Sequence, residues 1–158
     1  MKIYLIGMPA SGKSTLGKAL ADRLGYEFID MDHYIEKEAF MFVDEIFEAY
    51  GEKFFRDLET NTLKELKAKD NVVIATGGGI VLNKANKKLM DGKIIYLDVS
   101  LLDLHERVLS SNIVRPLLEQ NTLNDLYLER KELYEYFADI SVYNSDIDEA
   151  IENIIKSL

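Results

Sequence analysis

The sequence has no cysteine, only two prolines and two histidines, and no apolar run that approaches the length of a membrane span. Without cysteine, a disulfide framework and a thiolate metal site are both excluded. Neither histidine has a companion at the spacing of metal ligands, so we assign them no role. Because no proline- or serine-rich linker interrupts the 158 residues, we expect a single domain over residues 1–158.

Positive charge is also scarce, with 19 lysines and arginines against 28 acidic residues and a net charge of −9. This balance argues against a general nucleic-acid surface, although a local basic pocket can still bind phosphate. Strand-like sequence starts at Ile3 without a basic and apolar leader, so no secretory signal is expected. We therefore expect a cytoplasmic, monomeric enzyme that binds neither nucleic acid nor membrane.

Strand-like and helix-like hydrophobic patterns alternate along the chain. Most candidate strands are continuous apolar runs, as in parallel strands that are covered on both faces. The candidate strands are residues 2–6, 28–30, 72–76, 93–98 and 140–143, and the candidate helices are residues 13–24, 43–50, 53–68, 101–111, 122–138 and 147–155. The alternation predicts an α/β fold with a doubly wound parallel sheet and helices on both faces.

The segment from Gly7 to Ser14 matches the phosphate-binding pattern G-x-x-x-x-G-K-[ST]. It lies between a candidate strand and a candidate helix, which is the context that this loop requires. Its backbone N–H groups turn toward phosphate oxygens, and the start of the helix adds partial positive charge. We expect Lys13 to reach the outer phosphates and Ser14 to ligate Mg²⁺. The predicted ATP contacts here are Gly7, Ala10, Ser11, Gly12, Lys13, Ser14 and Thr15.

Two aspartates, Asp30 and Asp32, stand at the end of the second candidate strand. The carboxyl ends of parallel strands face the ligand crevice. If the strand continues, both side chains point the same way, and one supports Mg²⁺ while the other takes a proton from a hydroxyl. The alternative is a turn or a helix N-cap, which favours aspartate for its own reasons.

Arg56 and Glu59 are three residues apart and share a face of the helix predicted over 53–68. An exposed ion pair is one interpretation. The other is a pocket, since Phe55 precedes Arg56 and Phe47 lies close before it in the sequence. An aromatic ring beside an arginine suits a compact ring that carries a carboxylate, so we count both phenylalanines as candidate substrate contacts.

Three glycines, Gly77, Gly78 and Gly79, follow the third candidate strand. Without Cβ atoms, the backbone can approach a ligand closely at this point. A plain turn is the alternative, although a turn needs only one or two glycines.

Arg115 lies in residues 110–121, a stretch of weak periodicity between two candidate helices. A loop of this length in a compact domain is often a lid over the active site. An arginine on such a lid reaches phosphate oxygens when the site closes. The alternative is a solvated loop arginine.

Arg130 lies within an apolar stripe of the last long helix, three residues after Tyr127 and four before Tyr134. An arginine that points inward needs a partner, because an unpaired buried charge is costly. The partner is either a fixed carboxylate or the carboxylate of a bound substrate. Alternatively, the stem packs while the head reaches solvent.

The order and spacing of these motifs resemble those of the shikimate kinase family over essentially the whole chain. The matching segments are GMPASGKST, Asp30-x-Asp32, GEKFFRDLE, TGGG, RPLL and Arg130 to Tyr134. The resemblance implies a nucleoside-monophosphate-kinase-like fold with five parallel strands in the order 2-3-1-4-5. It also implies transfer of the γ-phosphate of MgATP to the 3-hydroxyl of shikimate, in the pathway to chorismate and aromatic amino acids.

On the acceptor side, the resemblance implies a substrate-binding subregion over residues 31–60. In it, Asp32 contacts the substrate hydroxyl and acts as base, while Glu59 orients Arg56. Arg56 and Arg130 hold the shikimate carboxylate. The glycines Gly77, Gly78 and Gly79 border the substrate, and the last two donate backbone hydrogen bonds to it.

On the nucleotide side, the resemblance places Asp30 near the metal and Arg115 on the ATP phosphates. The family usually has a basic residue in the late loop that covers adenine. Here residues 143–146 contain no arginine or lysine, so Arg107 becomes the candidate for stacking on adenine.

Two other functions are compatible with the phosphate-binding loop. One is another small-molecule kinase of the same fold, such as a gluconate kinase. The other is a nucleotide-binding protein without kinase chemistry. The second has no need to bring Asp32, Arg56 and Arg130 together.

Lys13→Ala should nearly abolish turnover, because the lysine neutralises the charge of the transferring phosphate. The fold should stay intact, because the lysine belongs to a loop and not to the hydrophobic core. Steady-state kinetics and a thermal unfolding curve measure the two effects. A folded variant with near-normal kcat would contradict the assignment of the phosphate-binding loop.

Overall fold

Five parallel strands form one sheet in the computed structural model, which describes residues 1–110 and 120–158. The strands are β1 (Lys2–Ile6), β2 (Glu27–Asp30), β3 (Val72–Ala75), β4 (Lys93–Asp98) and β5 (Ile140–Tyr143). Their order in the sheet is β2-β3-β1-β4-β5, which confirms the predicted order. Each neighbouring pair is parallel, so each connection must cross over the sheet.

Helices connect the strands within the described ranges. They are α1 (Lys13–Leu24), α2 (Met31–Ala39), α3 (Val43–Tyr50), α4 (Glu52–Leu66), α5 (Asn86–Leu89), α6 (Leu101–Ser110), α7 (Gln120–Phe137) and α8 (Ile147–Ser157). A short 3₁₀ helix covers Ile80–Leu82. No helix among the described residues is long and apolar enough to cross a membrane.

Both faces of the sheet are covered, which explains the continuous apolar runs. All five residues of β1 are buried. Successive side chains of a strand point to opposite faces, so Tyr4 and Ile6 pack on one side while Ile3 and Leu5 pack on the other. The first side is covered by α4 and α7 through Leu63, Tyr134 and Phe137. The second side is covered by α1 and α8 through Leu16, Leu20, Ile151 and Ile154.

Most element boundaries agree with the sequence prediction to within one or two residues. The three elements that were not predicted are α2, α5 and the 3₁₀ helix. The second strand ends at Asp30, as predicted, and α2 begins at Met31, so the condition that the strand continues past Asp30 is not met. The Asp30 carboxylate accepts a hydrogen bond of 3.2 Å from the backbone N–H of His33, which is the helix N-cap considered as the alternative.

The sheet register brings three of the sequence motifs side by side. Leu5 of β1 and Asp30 of β2 both pair with Ala75 of β3. The phosphate-binding loop, Asp30 and the glycine run therefore leave the same edge of three adjacent strands. The predicted lid is a different case, because residues 111–119, including Arg115, lie outside the described residues.

Leu63→Ala should destabilise the protein by about 2–5 kcal/mol, because Leu63 is fully buried on α4 and its truncation leaves a cavity against the sheet. Urea unfolding measures this loss. Leu128→Ala is the matched control on α7, where the leucine is 75% exposed, and its effect should stay below about 0.5 kcal/mol. Equal losses in the two variants would contradict the packing described for α4.

Candidate active site

Lys13 is hydrogen-bonded to backbone carbonyls of its own phosphate-binding loop. Lys13 Nζ donates hydrogen bonds of 2.8 Å to the carbonyl of Gly7 and 2.9 Å to the carbonyl of Met8. Ala10 and Gly12 have positive φ angles of 68° and 91°. Left-handed residues of this kind turn consecutive N–H groups toward one concavity, which favours an anion there.

Ser14 and Asp30, the two predicted metal ligands, are in contact. Ser14 Oγ donates a 2.6 Å hydrogen bond to Asp30 Oδ2. A hydroxyl and a carboxylate oxygen are hard donors that suit Mg²⁺. Among the described residues, no cluster of three or more metal-ligating side chains exists. The pair therefore fits an ion that takes most of its ligands from phosphates and water, as Mg²⁺ usually does.

Each glycine after β3 lies against a different predicted site residue. A Cβ added at Gly77 would lie 2.9 Å from Glu59 Oε2 and 3.0 Å from Asp32 Oδ1, and one at Gly78 would lie 3.4 Å from Arg130 Nη1. A Cβ at Gly79 would overlap the guanidinium of Arg56. The absence of Cβ atoms is therefore what lets these four side chains gather around one backbone segment.

The guanidinium of Arg56 lies between two glutamate carboxylates and two phenylalanine rings. Its Nη1 donates a 2.8 Å hydrogen bond to Glu59 Oε1, and its Nη2 lies 3.4 Å from Glu52 Oε1. The Cζ atom lies 5.4 Å and 5.8 Å from the ring centroids of Phe55 and Phe47, within cation–π range. Burial lowers the pKa of Arg56, but the two glutamates outweigh burial and leave this pKa raised. The guanidinium is therefore a fixed positive charge.

The interpretation of Arg56 and Glu59 as an exposed ion pair is wrong, because Glu59 is only 1% exposed. Burial raises the pKa of Glu59 to about 7, while Arg56 opposes this shift. The charge of Asp32 also raises the pKa of Glu59, and the charge of Arg130 lowers this pKa. The second oxygen of Glu59, Oε2, is buried without a hydrogen-bond partner among the described residues.

Arg130 is 5% exposed, so its head does not reach solvent. The ion pairs found among the described residues do not include Arg130, and its Nε is buried without a partner there. A fixed carboxylate at bonding distance is therefore absent from this part of the chain. The alternative in which the head reaches solvent is therefore wrong, and an anionic ligand of Arg130 stays a prediction.

Tyr134 is a site residue that the sequence prediction missed. Its hydroxyl donates a 2.5 Å hydrogen bond to the carbonyl of Gly78, which fixes the glycine run from the side of α7. Burial raises the pKa of Tyr134 to about 12, although Arg130 opposes this, so the hydroxyl stays a donor at neutral pH. The signal was its place in the apolar stripe with Arg130, where the pattern indicates only a core residue.

Arg107 contacts the phosphate-binding loop through the backbone carbonyls of the loop. Its Nη1 donates hydrogen bonds to the carbonyls of Ala10 and Ser11 at 3.4 Å and 3.0 Å, and its Nη2 donates one of 2.6 Å to the carbonyl of Asn144. The predicted stacking of Arg107 on adenine stays a prediction. Thr15, another predicted ATP contact, is exposed at the start of α1 beside Ser14.

Comparison with known proteins gives one consistent family. The sequence profile of the family described as shikimate kinase matches residues 9–158. A shikimate kinase from Rippkaea orientalis is 44% identical over 99% of this chain and 90% of that protein.

Solved structures agree with this result. The shikimate kinase from Acinetobacter baumannii in complex with shikimate superposes with a TM-score of 0.91 at 33% identity, over 99% of this chain and 91% of that one. A deoxyadenosine kinase from M. mycoides, at 19% identity, shares the fold with a TM-score of 0.63 over 99% of this chain and 98% of that one.

Glu59 should make the stability of the ligand-free protein fall as pH rises. Its pKa is raised from 4.5 to about 7 in the folded state, so the folded state binds more protons than the unfolded state between these values. The free energy of unfolding of the wild type, relative to Glu59→Gln, should therefore fall from about pH 4.5 to pH 7. Urea unfolding at a series of pH values measures this difference.

Glu52→Gln is the matched control for this trend. It also removes a carboxylate from Arg56, but from a position that is largely exposed. It should not reproduce the trend, and a flat difference for Glu59→Gln would contradict the burial effect.

Proposed function

We propose that this chain, which belongs to the shikimate kinase family, transfers the γ-phosphate of MgATP to the 3-hydroxyl of shikimate. This reaction lies in the pathway to chorismate and aromatic amino acids. The observation that carries the proposal is the buried Arg130, which has no carboxylate partner among the described residues and lies beside the same glycine run as Arg56. Two arginines at one small site suit an acceptor that carries a carboxylate.

The nucleotide half of the site is the phosphate-binding loop. The loop supplies N–H groups at the start of α1, where the helix dipole favours the phosphates. Lys13 already lies over the loop, on the carbonyls of Gly7 and Met8. Since an ammonium binds phosphate oxygens more strongly than neutral carbonyls, Lys13 exchanges these carbonyls for the outer phosphates of ATP.

Ser14 and Asp30 are the residues that would hold Mg²⁺, Ser14 directly and Asp30 directly or through water. Their mutual hydrogen bond of 2.6 Å shows that both oxygens already reach one point. An Mg²⁺ ion held there would supply positive charge against the phosphates of ATP. Because Asp30 also caps α2, the same carboxylate links the metal position to the helix that carries Asp32.

The acceptor half is built from α4, α7 and the glycine run. Arg56 and Arg130 bind the carboxylate by charge-assisted hydrogen bonds, with Glu59 holding Arg56 in orientation at 2.8 Å. Phe47 and Phe55 flank the Arg56 guanidinium and give this end of the pocket an apolar wall. The N–H groups of the glycine run can bind acceptor hydroxyls, because no Cβ atom keeps the ring away.

Asp32 lies in the first turn of α2, beside Gly77. We assign it to the reacting hydroxyl. The hydroxyl oxygen attacks the γ-phosphorus, its proton goes to the Asp32 carboxylate, and the bond from the γ-phosphorus to the bridging oxygen breaks to release ADP. Because little covalent help is needed, the main contribution of the protein is alignment and charge neutralisation.

Arg115 is the proposed lid arginine on the ATP phosphates, and residues 110–121 the proposed lid. This role stays a prediction, as do the substrate-binding subregion at 31–60 and the single domain. The cytoplasmic location and the monomeric state also stay predictions, and light scattering after size-exclusion chromatography tests the second.

ADP release with shikimate present and absent tests the proposed reaction. Release should depend on shikimate, and phosphorus NMR should place the phosphate on the 3-hydroxyl. Gluconate and nucleoside monophosphates serve as competing acceptors in the same assay. Turnover with one of these instead would indicate another kinase of the same fold, and nucleotide binding without acceptor-dependent turnover would indicate a non-catalytic protein.

Arg130→Gln should weaken acceptor binding and leave ATP binding unchanged. A charge-assisted contact is worth about 1.5–3 kcal/mol, or roughly ten- to a hundredfold in affinity. Arg56→Gln should act in the same direction, but it also leaves the buried Glu59 without its ion pair, so Arg130 is the cleaner position. Titration calorimetry with shikimate and with an ATP analogue measures both affinities.

The decisive form of this experiment pairs each variant with the neutral amide of the acceptor. The amide should bind the wild type poorly, and each variant should lose less on the exchange of carboxylate for amide, because the contact is already gone. The matched control is Arg23→Gln, at an exposed arginine on α1. Full additivity, or an equal loss of ATP binding, would show that Arg56 and Arg130 are structural.

A further inference from the structure

The guanidinium of Arg107 spans two loops that leave β1 and β5, two strands that β4 separates in the sheet. It projects from α6 and reaches the phosphate-binding loop after β1 and the loop after β5. Its three acceptors are all backbone carbonyls, those of Ala10, Ser11 and Asn144. A planar fork with several N–H groups suits such a set, whereas a single ammonium on a flexible stem does not.

Asn144 completes this contact. Its side chain is 2% exposed, and Nδ2 donates a 2.8 Å hydrogen bond to the carbonyl of Ser11. Its own backbone N–H is bonded to the carbonyl of Asp98 at 2.9 Å, so the residue is anchored to the end of β4. The carbonyl of Ser11 thus has two donors, and both come from outside the phosphate-binding loop.

Carbonyl groups decide which way this loop presents its N–H groups. In a loop with left-handed residues such as Ala10 and Gly12, a peptide that flips would turn a carbonyl toward the phosphates and an N–H away from them. Lys13 holds the carbonyls of Gly7 and Met8 in the ligand-free state. Lys13 leaves these carbonyls if it moves to the nucleotide. Arg107 and Asn144, which donate to the carbonyls of Ala10 and Ser11, stay in place.

Gly12 shows how closely the two donors approach the loop. A Cβ at this position would lie 2.8 Å from Asn144 Nδ2 and 3.5 Å from Arg107 Nη1. Both groups therefore pack directly against the backbone of the loop, on the side of its carbonyls.

We propose that Arg107, together with Asn144, is a positioning residue that holds the carbonyls of Ala10 and Ser11 so that the loop presents its N–H groups to the phosphate chain. This proposal rests on the proposed function in one respect, namely that the anion in the loop is the phosphate chain of a nucleotide. It differs from a stacking contact with adenine, because Arg107 acts here on every ligand with that phosphate chain, with or without a base.

The test compares Arg107→Gln and Arg107→Lys with Arg23→Gln, the matched arginine variant on an exposed surface. MgATP and magnesium tripolyphosphate are titrated against each variant, tripolyphosphate by competition. Arg107→Gln should weaken both ligands by a similar factor of about ten or more, the loss expected for hydrogen bonds from a charged donor. Arg107→Lys should recover part of this loss, and shikimate binding should be unchanged in every variant.

Hydrogen exchange in the ligand-free protein is the second measurement. Amides of residues 10–13 should exchange faster in Arg107→Gln than in Arg23→Gln, while amides of α4 should not change. Asn144→Ala should produce the same pattern, and the two losses in nucleotide affinity should be non-additive because both side chains act on the carbonyl of Ser11.

Three outcomes would overturn the proposal. The first is a loss confined to MgATP, which would assign Arg107 to the base. The second is an equal loss for shikimate, which would indicate general unfolding. The third is unchanged amide exchange at residues 10–13. A wild type that binds no MgATP would instead contradict the proposed function and leave the exchange result to decide the role of Arg107.

Discussion

The parallel register of β2, β3 and β1 is the constraint on which the rest of the structure depends. Leu5 and Asp30 pair with the same residue, Ala75, so three chain segments leave three adjacent strands at the same level of the sheet. One segment binds phosphate, one carries the two aspartates and one is the glycine run. A parallel sheet requires its connections to cross over, and this leaves the carboxyl edge open for the site.

Around that edge, the acceptor side and the nucleotide side of the site carry different sets of charged residues. On the acceptor side, the buried Arg130 and the half-buried Arg56 face one buried glutamate, so positive charge is left over where we propose that a carboxylate binds. Burial raises the pKa of Glu59, while Arg56 opposes this shift, so the glutamate titrates near neutrality and the arginine stays charged. On the nucleotide side, Lys13 and Arg107 lie against carbonyls of the phosphate-binding loop, which places two cations around one anion site in a protein whose net charge is −9.

Several features of the site followed directly from the residues. The phosphate-binding loop was clear because its glycines, lysine and serine stand at a specific spacing between a strand and a helix. Arg130 stood out because its neighbours at helical spacing are apolar, and the structure, which buries it, decides against a solvent-exposed head. The strand predicted over 28–30 also ends at Asp30, but only the structure shows that the carboxylate of that residue caps α2.

The sequence by itself determined the alternation of strands and helices, the strand order through family resemblance, and the residue types at the site. The alternation and the residue types depend on local spacing and periodicity, which a linear sequence contains, whereas the strand order came only from the resemblance. Only the tertiary structure decided that Glu59 is buried with Arg56, that Tyr134 bonds to Gly78, and that Arg107 holds the phosphate-binding loop. Each of these contacts joins residues whose partners or burial depend on how helices pack on the sheet, and no local pattern specifies that packing.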